Sequence, residues 1–162
     1  MLVEVFETTV QKTYSWLRDL MEILDWNDEH KAYLALRGTL HALRDRLTVN
    51  VSVKLSAQLP MLVRGFYFEG WVPATTPVKV KTAEEFFGLA SFHFNSLELG
   101  QENSEVIVRA VFLLLSQHIS VGEINRLKQA LPVSIAELWP SSEYKEGQEV
   151  LRKEAKHAYR HR

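Results

Sequence analysis

The chain has 162 residues, with 46% hydrophobic and 24% charged residues, which suits one globular domain large enough to bury a core. Its formal net charge of -1 argues against the basic excess of a general nucleic-acid binder, and the lack of cysteine excludes disulfides, thiolate metal sites and cysteine nucleophiles. Glu4 and Glu7 stand where a signal peptide needs a basic flank, and the longest apolar stretch, Val106 to Leu115, is too short to span a bilayer, so a reducing cytoplasmic setting is expected.

In chain order the dominant signal is helical. Tyr14, Trp16, Leu17, Leu20, Met21 and Leu24 mark a first amphipathic helix, expected to begin near Thr8 or Thr9. Asn27 and Asp28 are suited to cap a second, whose stripe runs through Tyr33, Leu36, Leu40, Leu43 and Leu47. Thr48 then caps a short helix through Val51 and Leu55. Leu59-Pro60 makes a corner, because proline moves the preceding residue out of helical geometry and itself suits a first helical turn. The stretch Val72 to Val80 contains Pro73 and Pro77 and reads as a connector that admits a short extended piece but no sheet.

Beyond the connector the order repeats. Thr82 with Glu85 has capping-box spacing and opens a helix through Phe86, Phe87, Leu89 and Phe92. Ser104 is placed to cap the next, which is apolar at nine of ten positions from Val106 to Leu115 and is therefore expected at the centre of the molecule. Ser120 with Glu123 forms another capping box, and Leu131-Pro132 another corner. The segment Arg37 to Tyr67 aligns without a gap on Arg109 to Trp139 at an offset of 72 residues. Arg37/Arg109, Leu43/Leu115, Val49/Val121, Leu55/Leu127, Leu59/Leu131 and Pro60/Pro132 are identical pairs. Most are packing or corner residues. The expected fold is an all-α, compact bundle over residues 1–142, with unit one at about 8–71, a connector at 72–81 and unit two at about 82–140. Residues 143–162 read as a charged helix or tail, basic from Leu151 onward.

Four places invite a functional reading. Phe66, Tyr67, Phe68 and Trp71 are more aromatic residues than one short helix face can bury, so some pack under the connector or stand exposed as an interaction patch. His41 and Asp45 sit four apart and could form an oriented base, although Asp45 is equally placed to pair with Arg44 or Arg46. Arg37 and its equivalent Arg109 each need a carboxylate or carbonyl acceptors if held among apolar neighbours, and with His41 and Arg44 they could line an anion pocket between the units. His157 and His161 have the spacing of two metal ligands but no third, so no metal site is assigned. No catalytic signature or cofactor motif is present.

The strings AYLALRGTLHALRDRL (Ala32 to Leu47), LSAQLPMLVRGFYFEGW (Leu55 to Trp71) and PVKVKTAEEFF (Pro77 to Phe87) closely resemble the bacterial family catalogued as domain of unknown function 2267. The resemblance runs from about Thr9 to Trp139. It implies a small all-helical protein and brings no activity, cofactor or catalytic residue with it. The functional expectation is a non-catalytic interaction module that forms a homodimer through the Phe66–Trp71 region or an apolar helix face. The alternatives are an anion or small-molecule binder, or enzyme, around Arg37, His41, Arg44 and Arg109, and a nucleic-acid-associated protein acting through the basic tail.

Overall fold

A computed structural model describes residues 2–96, 99 and 101–141. Among them are eight α-helices and no strand: α1 (Glu4–Leu24), α2 (Glu29–Arg46), α3 (Val49–Ser56), α4 (Met61–Phe68), α5 (Ala83–Ser96), α6 (Ser104–His118), α7 (Val121–Gln129) and α8 (Val133–Ala136). The charged segment 143–162, with His157 and His161, lies outside the described residues.

The helix ends follow the polar punctuation of the sequence. Asp28 accepts from the Lys31 amide at 3.1 Å, and Thr48 and Ser120 accept from Val51 and Glu123 at 3.4 and 3.3 Å. Each cap satisfies an amide that has no partner in the first turn. Thr82 accepts from the Glu85 amide at 3.1 Å. Two expected boundaries differ. α1 begins at Glu4, ahead of Thr8 and Thr9, with Glu4 and Glu7 in its first turn, where carboxylates favour the positive end of the helix dipole. Asn103, rather than Ser104, caps α6 by accepting from Val106 at 3.2 Å, while the Ser104 hydroxyl meets that of Ser91 at 2.5 Å. α1 ends at Asp25 in the left-handed region (φ 55°), and the Trp26 amide reaches back to the Met21 carbonyl at 2.9 Å.

Backbone conformations recur along the offset of 72. Pro60 and Pro132 precede α4 and α8 with φ/ψ of -55°/151° and -54°/147°, and Thr48 and Ser120 precede α3 and α7 in the same extended geometry. Equivalent side chains enter one core: Leu43 and Leu115, Val63 and Ile135, and Leu40 and Phe112 are each fully buried. Between Trp71 and Thr82 the connector makes one 3-10 turn, Pro73–Thr75, and is then tied to α2 by the Val78 amide on the Asp45 carbonyl at 2.9 Å.

α6 packs against α1, α2 and α5, as its apolar sequence leads one to expect. α2 is as central, touching α1, α4, α5 and α6. The sequence suggests only one apolar stripe for α2, because its other buried positions are small: Ala32, Ala35, Gly38, Thr39 and Ala42 contribute little to a hydrophobic pattern yet let neighbours close over the helix. His41 and Arg44 complete its buried set.

Truncating Leu115 to alanine should lower unfolding stability by ~2–5 kcal/mol, since it removes a fully buried side chain from the shared core. Ser120→Ala should cost about 1 kcal/mol through loss of the cap alone. Urea denaturation of both variants checks the ranking.

Candidate functional site

α4 is two turns long, and its last turn leaves carbonyls that need donors. α2 supplies them. His41 Nε2 donates to the Phe66 carbonyl at 2.6 Å, and Arg44 Nη1 donates to the carbonyls of Tyr67 and Glu69, both at 3.0 Å. Arg44 Nε meets Asp45 Oδ1 at 2.9 Å, and Asp45 Oδ2 meets His93 Nε2 from α5 at 3.0 Å. The chain leaves this helix end through Gly70, whose φ of 78° favours a residue without Cβ.

Burial pushes the His41 imidazolium down to about 4 against the Phe66 carbonyl, which favours the charged ring, and Arg44, Arg37 and His93 add repulsion. The ring is therefore neutral at pH 7 and carries its proton on Nε2. Burial alone would raise the Asp45 carboxyl, but hydrogen bonds from His93 and Arg44 overcome it and hold Asp45 below its usual range. Tyr67 is fully buried, hydrogen bonded to Ser52 through its hydroxyl and pushed up to about 12 by burial. These groups hold α2, α4, α5 and the connector together. A neutral histidine that donates to a backbone carbonyl and an arginine occupied on three acceptors are poorly placed to receive a substrate anion.

Arg37 lies nearer the surface. Its Nη1 contacts Glu69 Oε2 at 2.7 Å and the Tyr33 hydroxyl at 2.9 Å. Arg109 does not join it. It is half exposed, pairs with Glu105 at 3.4 Å one turn earlier on α6, and borders a shallow depression with Leu113, Leu138 and Trp139. Of the four residues expected to form an anion pocket, three share the α2–α4 junction and the fourth is elsewhere. The two arginines of the repeat need not meet because neither is held among apolar neighbours. Each has a carboxylate close by on its own surface.

The aromatic run is mostly interior. Phe66 and Tyr67 are buried, and Phe68 is half-buried with ring contacts to Tyr67 at 5.0 Å and Trp71 at 5.2 Å. Trp71 is also half-buried, its Nε1 without an acceptor among the described residues. Phe66 reaches a concave surface, as the floor of a groove of about 820 Å³ between α1, α2 and α4. Val10, Tyr14 and Leu17 form one wall, Leu62 and Gly65 another, and Tyr33 stands edge-on to Phe66 at 5.2 Å. Glu29, His30 and Glu69 give the groove a polar edge.

The groove continues into an exposed apolar surface that the sequence reading did not single out. Val3, Val5, Phe6 and Val10 at the start of α1, with Met61 and Leu62 on α4, are each between 42% and 61% exposed. The Thr9 hydroxyl accepts from the Leu62 amide at 2.9 Å and fixes the two helices side by side. The available sequence signal is the spacing of Val3, Phe6, Val10 and Leu17 in steps of three, four and seven, which continues the buried stripe of α1 toward its first turn.

Among the described residues no group of three or more His, Cys, Asp or Glu is placed to hold a metal ion, and no helix is long and apolar enough to cross a membrane. Fold and surface define an all-helical bundle with an exposed apolar face along α1 and α4. Residues 13–138 match the family described as "Uncharacterized conserved protein (DUF2267)", and the chain belongs to that family. No curated protein matches it.

The proton on His41 gives a specific pH dependence. A histidine in the unfolded chain titrates near 6.5, whereas folded His41 titrates at about 4. Its contribution to stability is complete above pH 6.5, is lost as the pH falls toward 4 and changes no further below. The loss is on the order of 3 kcal/mol. His41→Gln should therefore be less stable than the native protein at pH 7, with the difference shrinking toward pH 4. Urea midpoints at pH 7, 5.5 and 4 measure this, and parallel curves would disprove it.

Proposed function

We propose that the protein is a non-catalytic, cytoplasmic interaction module that self-associates, with the first turns of α1 and the outer side of α4 as its interface. The observation that carries this reading is the run of α1 beyond its packing partners. Its buried residues are Thr13, Trp16, Leu17 and Leu20, and residues 2–8 are all exposed although Val3, Val5 and Phe6 are apolar. A helix with an unpartnered apolar stripe gains stability when a second such stripe covers it.

A second copy is the occupant best matched to the face. With Leu2 and Tyr14, the apolar side chains of α1 and α4 offer on the order of 800 Å² of surface, about one side of a standard interface. A two-fold pairing sets the same patch against itself, so the stripe of one α1 covers the Val10–Leu62 wall of the other. The aromatic run enters this picture indirectly. Phe66 shapes the groove floor, whereas Tyr67, Phe68 and Trp71 support α4 from behind.

Light scattering and native mass spectrometry should find a dimer that dissociates on dilution. Phe6→Asp combined with Val10→Asp should raise its dissociation constant by about a hundredfold, equivalent to ~2.7 kcal/mol, without lowering helix content. A native protein that stays monomeric at the highest soluble concentration, or a dimer indifferent to the double substitution, overturns the proposed interface.

A further inference from the structure

A second concave surface lies at the opposite kind of location, where the two units meet through their short helices. α3 and α7 flank a cleft of about 520 Å³ and do not pack closely against one another. Its floor is apolar, formed by Leu55, Leu127 and Ile119, all buried. Its edges carry Lys54 on α3 and Arg126 on α7, which are equivalent positions under the offset of 72. The symmetry places one cation on each bank above a shared apolar floor.

The charges on the two banks differ in how they are engaged. Arg126 Nη1 contacts Glu123 at 2.5 Å and is 75% exposed, so it can turn toward a ligand at little energetic cost. Lys54 makes no side-chain hydrogen bond or ion pair among the described residues. Glu123 stands where α3 has Val51, so the rim retains a net positive charge of one. An apolar floor favours a hydrocarbon body, and a rim of excess positive charge favours one anionic group at its end. The volume lies within the range of small-molecule sites, roughly 300–1,000 Å³.

We propose that the α3–α7 cleft binds a single-chain amphiphile with an anionic head, its hydrocarbon on Leu55, Leu127 and Ile119 and its head group between Lys54 and Arg126. This site is separate from the α1–α4 face and shares no residue with the groove beside it. An ammonium head of the same chain length meets the same floor but the wrong rim, and a neutral alcohol leaves the cations without a counter-charge. Discrimination by head-group sign is therefore the signature that separates this site from general hydrophobic adsorption.

The test is calorimetric titration of the full chain with dodecanoate and dodecylammonium below their micelle concentrations and dodecanol below its solubility limit. Dodecanoate should bind with the highest affinity. Lys54→Gln and Arg126→Gln should each weaken it by roughly three- to tenfold, as expected for loss of one charged hydrogen-bond donor. Both side chains are on the surface, so thermal melting should be unchanged and a loss of binding cannot be attributed to unfolding. Amide NMR shifts on adding dodecanoate should centre on Val51, Leu55, Ile119 and Leu127. Equal affinity for dodecylammonium, unchanged binding when Lys54→Gln and Arg126→Gln are combined, or shifts centred on Val10, Phe66 and Leu62 would each overturn the assignment. Anionic phospholipid vesicles supply the other source of the same chemistry. Retention on vesicles without binding of free dodecanoate would also overturn it.

Discussion

The last turn of a short helix cannot satisfy its own carbonyls, and in α4 this constraint organises the first half of the molecule. His41 and Arg44 reach the carbonyls of Phe66, Tyr67 and Glu69 from the neighbouring helix, so α2 and α4 are joined by donors as well as by apolar contact. Meeting that need buries a histidine and an arginine. The buried arginine in turn fixes Asp45, and Asp45 brings in His93 from α5. The same region holds the connector, through the Val78 amide on the Asp45 carbonyl and Arg46 on the carbonyl of Val80 at 2.5 Å. Arg64 repeats the device on a smaller scale, donating to the carbonyls of Ser56 and Leu59 where α3 ends. Arginine suits this work because its several donors diverge in fixed directions and its charge complements a helix C-terminus.

The parts of this fold that were legible in sequence are those governed by local chemistry. Asp28, Thr48, Thr82 and Ser120 cap helices because a short oxygen-bearing side chain beside a helical run has few other roles. Pro60 and Pro132 turn the chain because their rings permit little else. The alternation of long and short helices is visible because the same corner and core residues recur after 72 positions. What escaped is what depends on partners distant in the chain. Arg37 and Arg109 are identical in the alignment, yet Glu69 meets the first across 32 residues while Glu105 meets the second across four. Nothing in the sequence near Arg37 points to Glu69. The same holds for His118, which stacks on Trp16 at 4.5 Å and contacts Asp19 at 2.8 Å, joining α6 to α1 across 99 residues. The aromatic run illustrates a third case. Composition shows that four rings are too many for one helix face, but only the fold decides which are covered: Tyr67 meets Ser52, Phe66 meets Tyr33, and Phe68 lies between Tyr67 and Trp71.

The surface divides by origin. The α1–α4 face arises because one helix outruns its neighbours, and it belongs to the first unit alone. The α3–α7 cleft arises because two similar helices approach without closing, so both units contribute to it. A groove formed by overreach presents a stripe, which suits another extended element. A cleft formed by approximate symmetry presents two similar banks over a common floor, which suits a small body with one distinguishing end. The two surfaces thus call for different kinds of contact within a chain of modest size.

The carbonyl-capping cluster is asymmetric, and this limits how far the two halves are interchangeable. At the equivalent positions the second unit has Leu113, Ser116 and Gln117 in place of His41, Arg44 and Asp45, and its last helix, α8, spans four residues where α4 spans eight. The Ser116 hydroxyl turns back onto the Phe112 carbonyl of its own helix at 3.0 Å and offers nothing to a neighbour. A chain assembled from two copies of the first unit would carry the donors for both of its terminal helices, whereas one assembled from two copies of the second would carry them for neither. The apparent repeat is in this respect directional: the first unit supplies side-chain donors to the end of α4, whereas the carbonyls of Val133, Ile135 and Ala136 in α8 accept from the amides of Glu137, Leu138 and Trp139 that follow them.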